Sequence, residues 1–363
     1  MRVVLVAFAN KYTGAAAVAE HCCRALRTVG VDARMIFVAG RNLEQRLSAE
    51  AWAEAGLVKE RTPLRAWRNL GTLRRIAADA DAVICHLPHD HALCVAAGLH
   101  TSSALVRAFR NPGHLRLDPW HRFVARRLTG VTLANRAMLP QLHRCHGSLP
   151  HLVLQVPLED RFRPGPDGAV WRQRLSIPEA EPVLGMVGKL AAGRGFGFLL
   201  KSAALVDPPC RVLAVGHGES QPSLERRAAE LGLTGRVHWA GYQEAALPEL
   251  YSAMDAVAFI APGSDHGHRA ISEAQACGRP VVALAVAGVE DLIEHGATGL
   301  IAERTPESLA SAISEVLGRP ETARRLGSAA AASIADRRFR PSGERLANFL
   351  EEIVATKKSD HRQ

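Results

Sequence analysis

No apolar run in this chain of 363 residues reaches the ~18 residues that would cross a bilayer, which excludes a membrane-spanning segment. The N-terminal run Val3-Val4-Leu5-Val6-Ala7-Phe8 follows a single charge and has no small-residue cleavage pattern after it. It reads as a buried first strand rather than a signal peptide. None of the seven cysteines pairs with another at zinc-ligand spacing. They are odd in number, scattered and mostly set in apolar stretches, which suits buried free thiols in a reducing compartment and leads us to expect a cytoplasmic protein. No Gly-x-Gly-x-x-Gly follows the first strand, which counts against a nicotinamide dehydrogenase. No recognised nucleic-acid motif joins the arginines, so no nucleic-acid partner is expected. The chain has neither a short internal repeat nor a low-complexity tract, and 47% hydrophobic against 22% charged residues are the proportions of a globular protein.

What is present is alternation. Short apolar runs separated by segments of helical period fill the chain, the pattern of parallel sheets covered by helices, and the length suits two such α/β domains. In the first half the expected strands are Arg2–Phe8, Ala33–Val38, Ala82–His86, Ser103–Ala108 and Val131–Ala134. Val18, Cys22, Leu26 and Val29 share one face of an expected helix over 15–29. The second half restarts with Val183–Val187, Val212–Val215, Val237–Trp239, Ala256–Ile260, Val281–Leu284 and Gly299–Ala302. Between the halves, residues 157–168 are rich in Pro and Gly and poor in period, and read as a linker. The expected boundaries are a first Rossmann-like domain over 1–158, a second over 159–340, and a C-terminal helix over 341–363 that packs back on the first domain and ends in a frayed tail.

The net charge of +9 is uneven. Residues 1–158 hold 21 Lys/Arg against 10 Asp/Glu, and 159–363 hold 24 against 26. Arg61, Arg65, Arg68, Arg74 and Arg75 surround Trp67, while Arg107, Arg110, Arg116, Arg122, Arg126 and Arg127 surround Trp120. A basic half bearing tryptophans suits an anionic partner, either a phosphorylated acceptor or the anionic face of a membrane. A plain solvated arginine-rich surface is the alternative.

Two segments of the second half carry chemistry. In Ala261 to Ala283 a buried strand ends in a Pro/Gly/Ser turn, a glycine-containing loop opens a helix, and Gly278-Arg279-Pro280 stops it before the next strand. Such a helix presents free N–H groups and a positive dipole end at the carboxyl edge of a parallel sheet, where α/β folds bind phosphates. Asp265 and Glu273 bracket it. Carboxylates there would repel a diphosphate, so they suit sugar hydroxyls. The second segment, Gly185-Met186-Val187-Gly188-Lys189-Leu190-Ala191-Ala192-Gly193-Arg194-Gly195, is a strand, a glycine turn and two cations five positions apart. Glycines admit a diphosphate to the backbone and the cations neutralise it as it leaves.

Together these segments resemble the donor-site signature of the retaining GT-B glycosyltransferases of family GT4: two acids separated by seven residues, followed by Ala-x-Ala-x-Gly, and a strand-Gly-Arg…Lys-Gly element. Asp265 stands where glutamate is usual, Asp-His-Gly-His replaces Glu-Gly-Phe-Gly, and Lys189 and Arg194 exchange the usual order of the cations. The resemblance implies two Rossmann-like domains with parallel sheets facing across a cleft, the first binding acceptor and the second nucleotide-sugar. It implies that Asp265 contacts the transferred sugar, that Glu273 holds the ribose hydroxyls, and that the N–H groups around Gly267, His268 and Arg269 meet sugar and phosphate. Lys189, Arg194 and the Gly188 turn would take the diphosphate, and Gly241 and Tyr242 would lie near the base. The family transfers sugar without a protein nucleophile, so no metal or other cofactor is expected. Its bacterial members often build surface polysaccharide or lipopolysaccharide, which suggests synthesis of surface polysaccharide, lipopolysaccharide or glycolipid with a lipid-linked or anionic glycan acceptor, and the Arg/Trp clusters add an expected peripheral place at the inner face of the membrane.

In the first half Asn10-Lys11-Tyr12-Thr13-Gly14-Ala15 replaces the family's Gly-Gly loop, and only Gly14 fits. The family's active-site histidine has Arg110 in its place, with His114 nearby. These departures leave open a second class, a non-catalytic nucleotide-sugar binder with a degenerate acceptor half. His86, His89 and His91 around Asp90 invite a metal reading, but their spacing matches no standard zinc site and substrate contact suits them better.

Overall fold

The computed structural model describes residues 1–12, 14–60, 62–115, 123–165, 168–260 and 265–360, with the backbone alone at Arg41, Asp360 and residues 265–267. It divides into two compact units, Met1–Leu158 with Asp336–Gln363, and Glu159–Ala335.

In the first unit seven strands form one parallel sheet: β1 (Arg2–Ala7), β2 (Asp32–Val38), β3 (Ala53–Leu57), β4 (Ala82–Cys85), β5 (Ala104–Phe109), β6 (Gly130–Leu133) and β7 (His151–Val153), in the order β3-β2-β1-β4-β5-β6-β7. β1 is apolar from Val3 to Ala7 and buried throughout that run, because helices cover both faces of a central parallel strand. The two edge strands are the ones absent from the expected set. β3 reads Ala-Glu-Ala-Gly-Leu, with a glycine and a charge where a strand signal would need apolar side chains, and β7 is three residues long. The expected helix after β1 runs Gly14–Thr28.

The chain returns to this unit through the helix Phe339–Asp360. Leu346, Phe349, Leu350, Ile353 and Val354 form its apolar stripe at helical spacing and join the core beneath β1, β2 and β5. Each such burial is worth about 1.5–3 kcal/mol, so this C-terminal element is integral to the unit. Gly343 permits the approach: a Cβ there would come within 2.2 Å of the Ala25 carbonyl oxygen on the facing helix. Of the tail expected to fray over 357–363, the part up to Asp360 is helical and residues 361–363 lie outside the described residues. The Lys357 ammonium donates to the carbonyls of His100 and Ser103.

The second unit holds six parallel strands, β8 (Val183–Val187), β9 (Arg211–Val215), β10 (Val237–Gly241), β11 (Ala256–Phe259), β12 (Val281–Leu284) and β13 (Gly299–Ala302), in the order β10-β9-β8-β11-β12-β13. The expected loose linker is instead packed on this unit. Phe162 is fully buried, with its ring edge-on to Tyr251 at 6.2 Å, and the Arg161 guanidinium donates to Glu244 O at 2.8 Å. Residues 166 and 167 of that segment lie outside the described residues.

Both sheets reverse their winding at one point, between β1 and β4 in the first and between β8 and β11 in the second. Loops leaving the carboxyl ends of two such neighbours go to opposite faces and leave a crevice, the usual ligand position in open α/β sheets.

Candidate functional site

The two segments singled out in the sequence leave the two strands that flank the reversal in the second unit. The glycine turn with Lys189 and Arg194 follows β8, and the acidic helix Asp265–Ala276 follows β11, with β8 and β11 paired through Ala256 and Leu184. Residues 261–264, including the Pro/Gly/Ser turn, lie outside the described residues, as do the side chains of Asp265 and of residues 266–267. The helix after β11 begins at Asp265, so its first turn holds Asp265, Gly267 and His268 on the carboxyl side of the sheet, where free helix N–H groups can meet an anion. His268 is buried with its ring 5.5 Å from that of Phe259. Its ring packs at the start of the helix.

The loops after β8, β9 and β10 are fastened to one another. The Gly188 amide donates to Val215 O at 2.9 Å, the Leu190 amide to His217 O at 3.1 Å and the Gly216 amide to Gly241 O at 2.8 Å. A glycine is needed at 216, where φ is +139° and a Cβ would come within 1.9 Å of the Gly188 carbonyl oxygen. Gly188 and Gly241 are thus brought onto one edge. Tyr242 projects from it, 61% exposed, with its ring edge-on to His217 at 5.7 Å and its hydroxyl donating to Glu244 at 2.8 Å.

Of the two expected cations, Lys189 is exposed and its ammonium pairs with exposed Glu219 at 3.1 Å. An exposed pair of this kind is worth 0–1 kcal/mol, so a diphosphate can displace Glu219 at little cost. Arg194 is half-buried in the turn before the helix Phe196–Ala203, its amide bonded to Ala191 O.

Glu273 is buried, and each of its oxygens accepts one hydrogen bond. Its Oε1 accepts from Arg269 Nε at 2.6 Å and its Oε2 from the Tyr251 hydroxyl at 2.9 Å. Burial and the Glu273 charge hold the Tyr251 hydroxyl well above the ordinary tyrosine range, so it stays protonated and donates. Neither Tyr251 nor the further partner of Arg269, Glu159 at 3.5 Å, was legible in sequence, for they lie 22 and 110 residues from the groups they meet.

The reversal point of the first unit has its own fastening. Asp90 is completely buried and accepts from the Phe8 amide at 2.8 Å, the Leu87 amide at 2.8 Å and the His86 amide at 3.2 Å, joining the loops after β1 and β4. Burial raises its carboxyl to about 7 against those donors. Burial, and then the charges of Arg110 and Arg107, press neighbouring His86 down to about 3. The three histidines go separate ways: His86 lies 3.3 Å from Val6 O through Nδ1, His89 pairs with Glu60 at 3.2 Å, and His91 is buried within the helix Pro88–Ala96. Gly14 opens the helix after β1, and Tyr12 before it is braced by Asn42 and by Arg46 over its ring at 4.1 Å. Thr13 lies outside the described residues.

Of the second arginine cluster, Arg126 is exposed and Arg127 half-buried, while Arg107 and Arg110 turn inward. Arg107 lies on β5 and is 3% exposed, and Arg110, one residue past the end of that strand, donates to Leu154 O at 2.6 Å. Trp120, Arg116 and Arg122 lie outside the described residues. The cluster around Trp67 does reach the surface. On the helix Pro63–Ile76, Leu64 and Trp67 are 79% and 66% exposed, flanked by exposed Arg65 and Arg68. No described helix is long and apolar enough to cross a membrane.

Residues 168–333 match the family model described as glycosyl transferases group 1. The chain is 34% identical over 180 residues to the D-inositol 3-phosphate glycosyltransferase of Segniliparus rotundus, which covers 47% of this chain and 40% of that protein. It is 31% identical over 189 residues to the alpha-D-kanosaminyltransferase of Streptomyces kanamyceticus, covering 50% and 48%. The matched stretch thus spans about half or less of these relatives. The crystal structure of Anabaena HepE in complex with UDP and glucose superposes with a TM-score of 0.78 at 21% identity, covering 99% of this chain and all of that one. The fold is GT-B.

Proposed function

Residues 168–333 carry the pattern of the group 1 glycosyl transferases, and from that premise we propose that the chain is a retaining glycosyltransferase which moves a hexosyl sugar from a nucleotide-diphosphate sugar to an acceptor. The observation that carries the reading is topological. The two segments chosen for a diphosphate and for sugar hydroxyls leave the adjacent strands β8 and β11 at the winding reversal.

In this reading the bond between the anomeric carbon and the diphosphate oxygen breaks while the acceptor oxygen bonds to the same face. The acceptor proton passes to the departing phosphate oxygen. The protein's part is to orient the donor and stabilise charge on the leaving diphosphate, through Lys189, Arg194 and the helix N-terminus at Asp265. Asp265 and Glu273 accept hydroxyls of the transferred sugar and the ribose. No resident metal or other cofactor is assigned a step.

For the acceptor we favour an anionic or lipid-linked glycan of surface polysaccharide, lipopolysaccharide or glycolipid synthesis. The first unit holds 28 Lys/Arg against 15 Asp/Glu, and a relative is named for an inositol phosphate. Leu64 and Trp67 beside Arg65 and Arg68 suit peripheral contact with an anionic membrane at its cytoplasmic face.

The test is a panel of nucleotide-diphosphate sugars incubated with the full chain without acceptor and followed by NMR. Slow release of nucleoside diphosphate and free sugar of unchanged anomeric configuration supports the reading. An inverted product contradicts retention, and donors that bind but stay whole leave only a nucleotide-sugar binder.

A further inference from the structure

Glu273 does not stand alone in the candidate site. It belongs to a hydrogen-bonded chain that crosses the second unit. The Tyr251 hydroxyl donates to Oε2 and Arg269 Nε to Oε1, and Arg269 Nη2 reaches Glu159 Oε1 at 3.5 Å. The other Glu159 oxygen takes Arg161 Nε at 3.0 Å, and Arg161 Nη1 donates to Glu244 O at 2.8 Å in the loop after β10. The Glu244 carboxylate accepts the Tyr242 hydroxyl at 2.8 Å, so the chain ends on the residue expected beside the base.

The chemistry of the carboxylate gives this arrangement a use. An ionised carboxylate has about four acceptor directions. Two are taken by donors that cannot move far: Tyr251 is completely buried against Phe162, and Arg269 lies one turn back on the same helix. The remaining directions on each oxygen are those a pair of adjacent hydroxyls can meet. A glutamate with free torsions would lose that aim, and a buried one without Arg269 would be an uncompensated charge.

We propose that Tyr251 and Arg269 are positioning residues that aim Glu273 at the two ribose hydroxyls, and that Glu159 and Arg161 tie this aim to the Tyr242 loop. The site then selects a ribonucleotide over its deoxy counterpart. The proposal rests on the reading above, in which Glu273 meets the pentose.

Calorimetry on the full chain with UDP, GDP and ADP, and with the 2′-deoxy and 3′-deoxy forms of the tightest binder, separates the two. A hydrogen bond to a charged group implies that the wild type prefers the ribonucleotide by about 10- to 100-fold. Tyr251→Phe is expected to reduce that preference to within about threefold while leaving the deoxy form's affinity near wild type, and Arg269→Met to reduce the preference while weakening both forms, with Arg269→Lys restoring part of it. Tyr251→Phe keeps the ring and its packing, and Glu159→Gln, at a partly exposed carboxylate, gives a milder loss should Arg269→Met not fold. Wild-type discrimination retained in folded Tyr251→Phe and Glu159→Gln overturns the proposal. A wild type that binds a nucleoside diphosphate without discriminating overturns the proposal together with the Glu273–ribose contact it rests on but leaves the diphosphate site and glycosyl transfer standing, and one that binds none overturns the underlying reading as a whole.

Discussion

Gly216 and Gly188 lie backbone to backbone, so close that a Cβ on Gly216 would come within 1.9 Å of the Gly188 carbonyl oxygen. That contact joins the loop after β9 to the turn holding Lys189. Gly216→Ala adds both a clash with a backbone atom and a side chain at φ +139°. We predict a loss of about 1–3 kcal/mol in urea unfolding, with weaker nucleotide binding than the stability loss alone explains. Wild-type stability in this variant would contradict the contact.

Lys189→Ala and Arg194→Ala are each expected to lower turnover on the order of 10²–10³, by analogy with removal of one oxyanion-hole donor. Lys189 loses only an exposed pair with Glu219, so the melting temperature should stay near wild type. The check is donor hydrolysis measured beside thermal melts of the same preparations. Unchanged turnover in both variants removes them from the mechanism.

How much of this was legible in the chain follows from the range of the interactions. All central strands and the helix after β1 are local patterns, and apolar periodicity alone marks them. The two segments proposed for the donor are local patterns of the same kind, since Gly188, Lys189 and Arg194 lie within seven residues and Asp265 and Glu273 within nine. What was not legible is what joins distant residues. Asp90 meets Phe8 across 82 positions, Arg269 meets Glu159 across 110, and Arg107 reads as one more surface arginine until β5 carries it inside. No local periodicity records such contacts.

His86 sets a pH dependence. Its native value of about 3 lies below the ordinary 6.5, so between those values the unfolded chain binds a proton that the native ring does not. Stability therefore falls as pH drops through that window, by up to about 1.4 kcal/mol per pH unit. Asp90, raised to about 7, acts with the opposite sign, because its native carboxyl takes up a proton between about 7 and 4 that the unfolded one does not. His86→Gln removes the first slope and keeps the second. Urea unfolding at pH 7, 6, 5 and 4 should show this variant gaining on wild type as pH falls below 6.5, and parallel profiles would contradict the assignment.

The helix Pro63–Ile76 predicts salt-sensitive binding to vesicles. Leu64→Ser with Trp67→Ser, or Arg65→Glu with Arg68→Glu, should abolish cosedimentation with phosphatidylglycerol vesicles at low salt and leave the melting temperature unchanged, since all four side chains are exposed. No binding by the wild type under these conditions would remove the membrane from the account.

The central claim is that the carboxyl edge of β8 to β11 grips a diphosphate. Its most direct measurement is the affinity of the full chain for the tightest-bound nucleoside diphosphate against that for the parent nucleoside, in wild type and in the Lys189→Ala, Arg194→Ala double variant. The account predicts that the diphosphate adds about 100-fold or more in wild type, and that the double variant loses most of this difference while nucleoside binding is unchanged. Equal affinity for both ligands in wild type, or an undiminished difference in the double variant, would contradict it.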